Sequence, residues 1–433
     1  VLMGFICSAI ASLAILPLSL KLFYLFNILG PFVNMAAVPL ATWIVTPGAL
    51  AFALISAIIP SFAPYIAQGL AYPLNWLDSL ASWSAQSTAF HLILKEPTWF
   101  EIACYYLIFI VALGYRTQQF HKKLLCLVFL IVCPLGNRFI ETMKTPNPLT
   151  IYIPYVGQGD ASLIVLPENE TILIDAGGNF DPGAWDPGQY VLAPFLRSLG
   201  KKQIDLAIVT HPHPDHLNGF LYLSKYFHIR EFWWNGMTPE NPILQKIFHN
   251  IATKGGITKK IEMIHNQNRQ GVDIEIIHPK PQNKKGYFPH MHLNDNSIVL
   301  RLEYGANSML FSGDIEKEAE RYLIDVLKPT DILKSPHHGS RSSSTTSFLQ
   351  ALNPQLVTIS VGQNNRFGLP NNDVLERYRQ HGIQILRTDQ DGMITLKTQG
   401  QGWDITSLQN KHIIHLSAKK LLQTKQLHHS EQL

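Results

Sequence analysis

The sequence predicts a chain in two parts, an apolar helical membrane region followed by an α/β domain. Three observations predict this. Charge is divided sharply along the chain: residues 1–136 hold five Lys/Arg and three Asp/Glu, and the rest hold 30 and 28. From about residue 149, short apolar runs alternate with glycine-rich turns and helical stretches. At 210–219 the chain reads T-H-P-H-P-D-H-L-N-G, which sets three histidines and an aspartate between an apolar run and a stretch of helical spacing.

The apolar part covers residues 1–145. Residues 2–29 carry only Lys21 and are long enough to cross ~30 Å of hydrocarbon, which takes about 20 residues. The chain opens on Val1 directly into this run, so it is expected to begin inside a longer protein. Residues 32–59 form a second span, interrupted by Pro39 and Pro47, which neighbouring helices can accommodate. Residues 63–83 are amphipathic and suit an interface or a polar cavity. Residues 100–115 form a third span and 124–135 a short fourth. Trp76, Trp83 and Trp99 suit interfacial belts. Between the last two spans, Arg116, Lys122 and Lys123 mark a cytoplasmic loop. A single crossing after that loop places the following domain on the outer face, with Arg138 and Lys144 arguing the other way. Eight charges in so long a stretch tell against a buried bundle in a soluble protein.

All four cysteines (Cys7, Cys104, Cys126, Cys133) lie in this apolar part and read as packing residues. The polar part therefore has neither a thiolate metal site nor a disulfide framework. The net charge of +4 is too small to argue for nucleic acid by itself.

Pro146 and Pro148 open the polar part. Strands are predicted at 149–153, 163–166 and 171–175, the last ending at Asp175 and a Gly pair. A helix follows over 190–199. Residues 204–209 form a buried strand and 217–227 a helix, so the His-rich loop is held at both ends. Residues two apart in extended chain point the same way, so His211 and His213 converge on one ion. Asp215 and His216, adjacent at the turn, diverge toward a second. Imidazole and carboxylate suit zinc, manganese or iron. The aromatic run 232–236 reads as a turn, packed as core rather than offered as a base-stacking surface. A helix over 241–254 and strands at 272–277, 298–302, 308–312 and 393–397 complete the pattern. A helix over 315–327 follows Asp314, and a loosely ordered polar tail is expected over 401–433.

The motif T-H-x-H-x-D-H resembles the signature of the metallo-β-lactamase superfamily of binuclear metal hydrolases. The resemblance implies an αβ/βα four-layer sandwich over residues 146–400. It makes Asp175 an acid that orients the ligands and Asp314 a carboxylate bridging two ions. The order V-G-Q-G-D-A, I-D-A-G-G, T-H-P-H-P-D-H-L-N-G narrows this further. It is similar to the ComEC family, the membrane proteins of DNA uptake in naturally competent bacteria. D-I-L-K-S-P-H-H-G-S at 331–340 fits that family too. It makes Lys334 and His338 candidates for catalysis and His337 or His338 a ligand of the second ion. Asn294, Asn296 and Ser297 fit the family's N-x-N-S, and His290 and His292 read as loop residues. Leu369 is the main departure: it stands in N-R-F-G-L-P where relatives commonly have histidine.

The resemblance implies an inner-membrane, multi-pass component of the DNA-uptake channel. Its soluble domain would hydrolyse phosphodiesters of single- or double-stranded DNA with two divalent ions, zinc or manganese. His211, His213, Asp215, His216, Asp314 and His337 would ligate, with Asp215, Lys334 and His338 at the chemistry. Other DNA-uptake proteins are expected partners. Three other readings stay open. These are a domain that only binds DNA, a membrane-tethered hydrolase of small esters, and a fragment without a transport role.

Overall fold

A computed structural model describes residues 2–87, 90–94, 96–113, 120–143, 147–179, 181, 185–280, 287–409 and 413–417, with the helix ends at 112–113, 120–123 and 137–143 described by backbone alone. The chain divides into two units, Val1–Met143 with Leu196–Lys201, and Lys144–Phe195 with Lys202–Leu433.

The first unit is helical: α1 (Leu2–Phe23), α2 (Gly30–Leu40), α3 (Thr46–Ile58), α4 (Ala63–Gln86), α5 (Trp99–Leu113) and α6 (Phe120–Met143), with a two-stranded ribbon of β1 (Phe26–Asn27) and β2 (His91–Leu92). A five-residue π-helical stretch joins α2 to α3. Among the described residues, two stretches are long and apolar enough to cross a membrane: Leu2–Phe23 and Gly30–Ile58. Only 6% of the first and none of the second is buried, so their apolar side chains face outward rather than into a core. A proline inside a helix leaves one carbonyl without its donor. In α1 that proline is Pro17 and the orphan is Leu13 O, which accepts from the Tyr105 hydroxyl at 2.7 Å. Tyr106 Oη donates to Ala14 O at 2.9 Å, one residue on. The basic loop at 116–119 and the side chains of Lys122, Lys123, Arg138 and Lys144 lie outside the described residues.

The second unit is built on two sheets. Strands β3 (Leu149–Ile153), β4 (Ala161–Val165) and β5 (Thr171–Ala176) pair antiparallel. After α7 (Ala193–Ser198), β6 (Gln203–Val209) joins β5 in parallel. Helices α8 (Pro214–Leu217) and α9 (Gly219–Tyr226) then lead to β7 (His228–Trp234), α10 (Pro242–Thr253) and β8 (Ile257–Lys260), with β7 and β8 continuing the parallel run. The chain crosses to the second sheet through β9 (Gln267–Arg269), β10 (Val272–His278), β11 (Val299–Tyr304) and β12 (Asn307–Phe311), which are antiparallel. Then α11 (Lys317–Leu323), β13 (Ile332–Lys334), α12 (Thr346–Leu352), β14 (Leu356–Ile359), α13 (Asn372–Gln380), β15 (Gln384–Arg387) and α14 (Thr388–Asp391) follow, with β12 to β15 parallel. Strands β16 (Ile394–Thr398), β17 (Gly402–Ser407) and β18 (Ile414–Ser417) return to the first sheet beside β3.

The sheet orders are β18-β17-β16-β3-β4-β5-β6-β7-β8 and β15-β14-β13-β12-β11-β10-β9. Side chains of both sheets, among them Ile151, Ile174, Ile208, Ile274, Leu300 and Phe311, share one apolar core. A second core packs Leu310, Leu333 and Val357 against Leu323, Phe348 and Tyr378 of α11, α12 and α13. Helices α11, α12 and α13 therefore pack on the second sheet, and on the first Phe232 of β7 meets Phe220 of α9 and Phe248 of α10. Local chemistry sets the helix starts. In α10, Asn241 Oδ1 accepts from Ile243 N and Leu244 N at 2.9 and 3.2 Å ahead of Pro242, a cap joined to a proline in the first turn.

Two expectations are corrected. The polar tail begins later than residue 400, because β17 and β18 add strands to the first sheet. Alternation carries them: Trp403, Ile405 and Leu416 are buried beside polar neighbours. The rest of that tail, beyond Ser417, lies outside the described residues. The run 232–234 is the end of a strand and not a turn, with Phe232 and Trp233 fully buried.

Candidate metal centre

Every candidate ligand sits just past the C-terminal end of a parallel strand, where open α/β sheets place their sites. Asp175 is the last residue but one of β5, His211 to His216 follow β6, Asp314 follows β12, and His337 and His338 follow β13. Thr210 couples the first two segments. Its N–H and hydroxyl both donate to Asp175, to Oδ1 and Oδ2, at 2.8 Å. It also couples the two sheets, because Ile298 N donates to Thr210 O at 2.9 Å.

The His-rich turn is shaped by Pro214, the first residue of α8, with His213 extended before it. That bend sends the side chains to different places. His211 and His213 stand together, Nε2 to Nδ1 at 3.0 Å. His216 lies with its ring 4.2 Å from that of His211, with Nδ1 2.8 Å from Asp175 Oδ2 and Nε2 3.2 Å from Asp314 Oδ1. Asp314 is central: its other oxygen is 3.9 Å from His211 Nε2, 3.7 Å from His338 Nε2 and 3.9 Å from His337 Nε2. Asp215 Oδ2 lies 3.5 Å from His338 Nε2.

Among the described residues, ligand atoms gather into three overlapping groups: His211–His216–Asp314, Asp215–His216–His338 and Asp160–Asp175–His216. His216 therefore belongs to all three, and not with Asp215 alone as the spacing suggested. The paired histidines also divide differently from expectation. His338 is buried and joins the second group; its Nδ1 donates to Ser360 O at 2.9 Å, which leaves Nε2 as the ligand nitrogen. His337 is partly exposed, with Nδ1 3.1 Å from Glu316 Oε1. Both adopt positive φ, 47° and 52°, so the backbone holds them in a conformation that side chains rarely take.

Burial and charge set the protonation. Burial pushes the His211 imidazole well below its ordinary value and lowers that of His213, favouring the neutral form that binds metals. Burial acts the same way on His216, but the Asp314 and Asp175 carboxylates raise it well above 6.5. His338 is raised by Asp314 and Asp215 against its burial. Burial favours a protonated Asp314, yet His216 and His338 hold its carboxyl well below the usual range. Asp215 is held low in the same way, chiefly by His338 and His216 against burial. Burial thus favours the neutral form of His211 and His213, while His216 and His338 and the two acids favour each other's charged forms.

Do these residues fit a cation? His216 Nε2, Asp314 Oδ1 and His338 Nε2 are buried and make no hydrogen bond. Orphaned polar atoms at this depth are costly, and all three face the same group of side chains. Borderline nitrogen and hard oxygen donors suit a divalent ion such as zinc or manganese. The residues fit.

Lys334 differs from expectation. Its ammonium lies 2.7 Å from Asp160 Oδ2, both nearly fully buried, so it is a structural ion pair rather than an open phosphate contact. Leu369 packs against the second apolar core and supplies no donor. His290 and His292 are exposed loop residues, and Asn296 builds that loop by donating to Phe288 O and His292 O at 3.0 and 3.1 Å.

Three contributors were missed. Asp160 pairs with Lys334, and burial notwithstanding, that ammonium lowers its carboxyl. Thr210 orients Asp175. Ser297 has Oγ 3.3 Å from His211 Nδ1 and accepts from Asp314 N at 3.1 Å. Gly313 makes that approach possible: a Cβ there would come within 2.6 Å of the Ser297 Cβ, and its φ is +52°. Asp160 and Thr210 stood inside quoted motifs, and Ser297 ended N-x-N-S, so the signal was present without a role attached.

Residues 1–119 match the family model described as competence protein, and residues 154–234 and 259–363 match that of the metallo-beta-lactamase superfamily. ComE operon protein 3 of Bacillus subtilis is 27% identical over 411 residues, 90% of this chain and 51% of its own. Competence protein ComA of Neisseria gonorrhoeae is 26% identical over 379 residues, 86% of this chain and 48% of its own. The chain spans about half the length of these curated relatives. Among solved structures, zinc-bound PqqB from Methylobacterium extorquens aligns with a TM-score of 0.38 and 10% identity, covering 58% of this chain and 100% of that one, too distant a likeness to place any residue.

Proposed function

The chain carries a competence-protein domain followed by a metallo-beta-lactamase superfamily domain, and from that premise we propose that it is a membrane component of DNA uptake whose second domain hydrolyses phosphodiesters of the incoming DNA. One observation carries the catalytic part: His216 Nε2, His338 Nε2 and Asp314 Oδ1 are buried without a hydrogen bond and belong to two ligand groups that share His216.

His211, His213, Asp215, His216, Asp314 and His338 would hold the ions. Two divalent ions there would supply Lewis acidity, an activated water and neutralisation of phosphoryl charge. The chain's own residues do the rest. Asp175 and Thr210 fix the ring of His216, and Ser297 and Ser360 O fix those of His211 and His338. Partly exposed His337, against Glu316, is placed to move a proton at the open side. Lys334 and Asp160 brace the loops beneath.

The membrane reading rests on the two long apolar helices and the unburied faces they present. A multi-pass arrangement uses the shorter apolar helices Trp99–Val111 and Leu124–Gly136 as well. The basic residues between them favour a second domain on the outer face. Other DNA-uptake proteins would be partners there.

The test is the full chain in detergent, given manganese or zinc and labelled single-stranded and duplex DNA, beside Asp215→Ala. Metal-dependent cleavage lost in the variant is expected. DNA binding without cleavage would instead establish the binding-only reading. Turnover of small esters with DNA untouched would establish the ester hydrolase.

A further inference from the structure

The loop between β13 and α12 carries both His337 and His338, and its backbone is unusual beyond those two. Ser344, near the far end of the loop, is left-handed as well, at φ 56°. Non-glycine residues persist in that region only where their surroundings hold them there.

What holds this loop comes largely from α13. Tyr378 is fully buried, with its hydroxyl 2.9 Å from Ser335 Oγ and 2.6 Å from Ser344 Oγ. One phenol oxygen therefore ties the two ends of the ligand loop. A phenol has one proton and can also accept, so it donates to one serine and accepts from the other. Burial pushes the phenol up to about 12, so it keeps that proton. Arg377, the residue before, donates from Nη1 to Ser343 O at 3.2 Å and to Ser344 O at 2.6 Å. At the start of the same helix, Asn371 N donates to Gly339 O at 2.9 Å. From α11, buried Glu320 accepts from Ser344 N and from Thr345 N, the latter at 2.8 Å.

Tyr378 does more than fill the second core. Its ring packs there, but phenylalanine would fill the same space, and a buried hydroxyl is costly unless it is paired. The pairing is with residues that flank the two histidines, Ser335 on one side and Ser344 on the other.

We propose that Tyr378 is a positioning residue: its hydroxyl, clamped between Ser335 and Ser344, keeps the loop closed with His338 turned inward to the ligand group of Asp215 and His216. The consequence rests on the metal-centre reading, since a loosened His338 would hold a divalent ion less tightly. The clamp itself belongs to the ion-free chain.

The experiment uses the full chain in detergent, sets Tyr378→Phe beside the parent, and has two arms. In the first, ions are stripped with a chelator and histidines are carbethoxylated with diethylpyrocarbonate, each followed by peptide mass. His338 is 1% exposed and is expected to react slowly in the parent. In Tyr378→Phe its rate is expected to rise about tenfold, the scale of a hydrogen bond lost from a local opening equilibrium, while buried His278 keeps the parent's rate. Ser335→Ala with Ser344→Ala is expected to give the same rise, and adding Tyr378→Phe to that pair no more, because the three side chains act as one unit. If Tyr378→Phe does not fold, Ser344→Gly removes half the clamp without strain, because glycine takes the left-handed backbone freely, and the same rise is expected. In the second arm, manganese titration of Tyr378→Phe is expected to show one binding step weakened about 10–100-fold and the other unmoved.

An unchanged His338 rate overturns the clamp. So does an equal rise at His278, which would mean general loosening, and so does an additive triple variant. A faster His338 with both manganese steps unmoved overturns the positioning role. Failure of the parent to bind manganese, with His338 still unmasked in the variant, sinks the metal centre and keeps the clamp. Manganese binding alike in both chains, with His338 still shielded in the variant, does the reverse.

Discussion

Asp175 Oδ2 lies 2.8 Å from His216 Nδ1, both buried. Nδ1–H donates to the carboxylate, so Nε2, 3.2 Å from Asp314, is the nitrogen left for a ligand. Partners of this kind set ligand basicity and ring orientation. Asp175→Asn is therefore expected to weaken metal affinity by about 10–100-fold while the chain still folds. Calorimetric titration of manganese or zinc checks this, and wild-type affinity in the variant would refute the orienting role.

Asp314 sends one oxygen toward His216 and the other toward His211, His337 and His338. An ion bound only to the folded state at 100 times its Kd stabilises by about 2.7 kcal/mol. Wild-type chain is thus expected to melt several degrees higher with added metal, and Asp314→Asn to show little of that rise. A full metal-dependent rise in the variant would remove Asp314 from the site.

The Lys334–Asp160 pair joins two strand ends with side chains only 3% and 7% exposed. Removing one member leaves a charge buried alone, at a cost of about 3–5 kcal/mol. Lys334→Met is expected to lower the melting temperature sharply, and Lys334→Met with Asp160→Asn to recover much of it. A single variant that melts like wild type but loses only DNA turnover would return Lys334 to a phosphate-holding role.

His278 is fully buried, donates from Nε2 to Asp295 O at 2.7 Å and stacks on Phe288. Burial pushes its imidazole down to about 4 against the ordinary 6.5. The unfolded chain therefore binds a proton between those values that the folded chain refuses. Stability from this residue is complete above pH 6.5 and lost as pH falls toward 4, about 3 kcal/mol in all. Melting temperature against pH reads it, and His278→Phe is expected to flatten that acid limb. An equally steep limb in the variant would place the sensitivity elsewhere.

The sequence by itself determined the two-part plan, because charge density and apolar run length are one-dimensional quantities. It also determined most strands and helices from 149 onward, because alternation and turn residues act locally. The core of the site was legible for the same reason: His211, His213, Asp215 and His216 lie within one turn. What only the tertiary structure decided is long-range. No local rule tells that His338 rather than His337 turns inward; two left-handed residues and the bond to Ser360 O do that. Lys334 looks like an anion contact until Asp160, 174 positions away, is brought against it. Ser297 and Thr210 gain their roles only when the two sheets meet. Strand β17 and the edge strand β18 were hidden because short alternating runs within a polar stretch owe their order to the neighbours they pair with. Proximity between distant segments is set by how the sheets pack, and that packing is a property of the whole core rather than of any stretch within it.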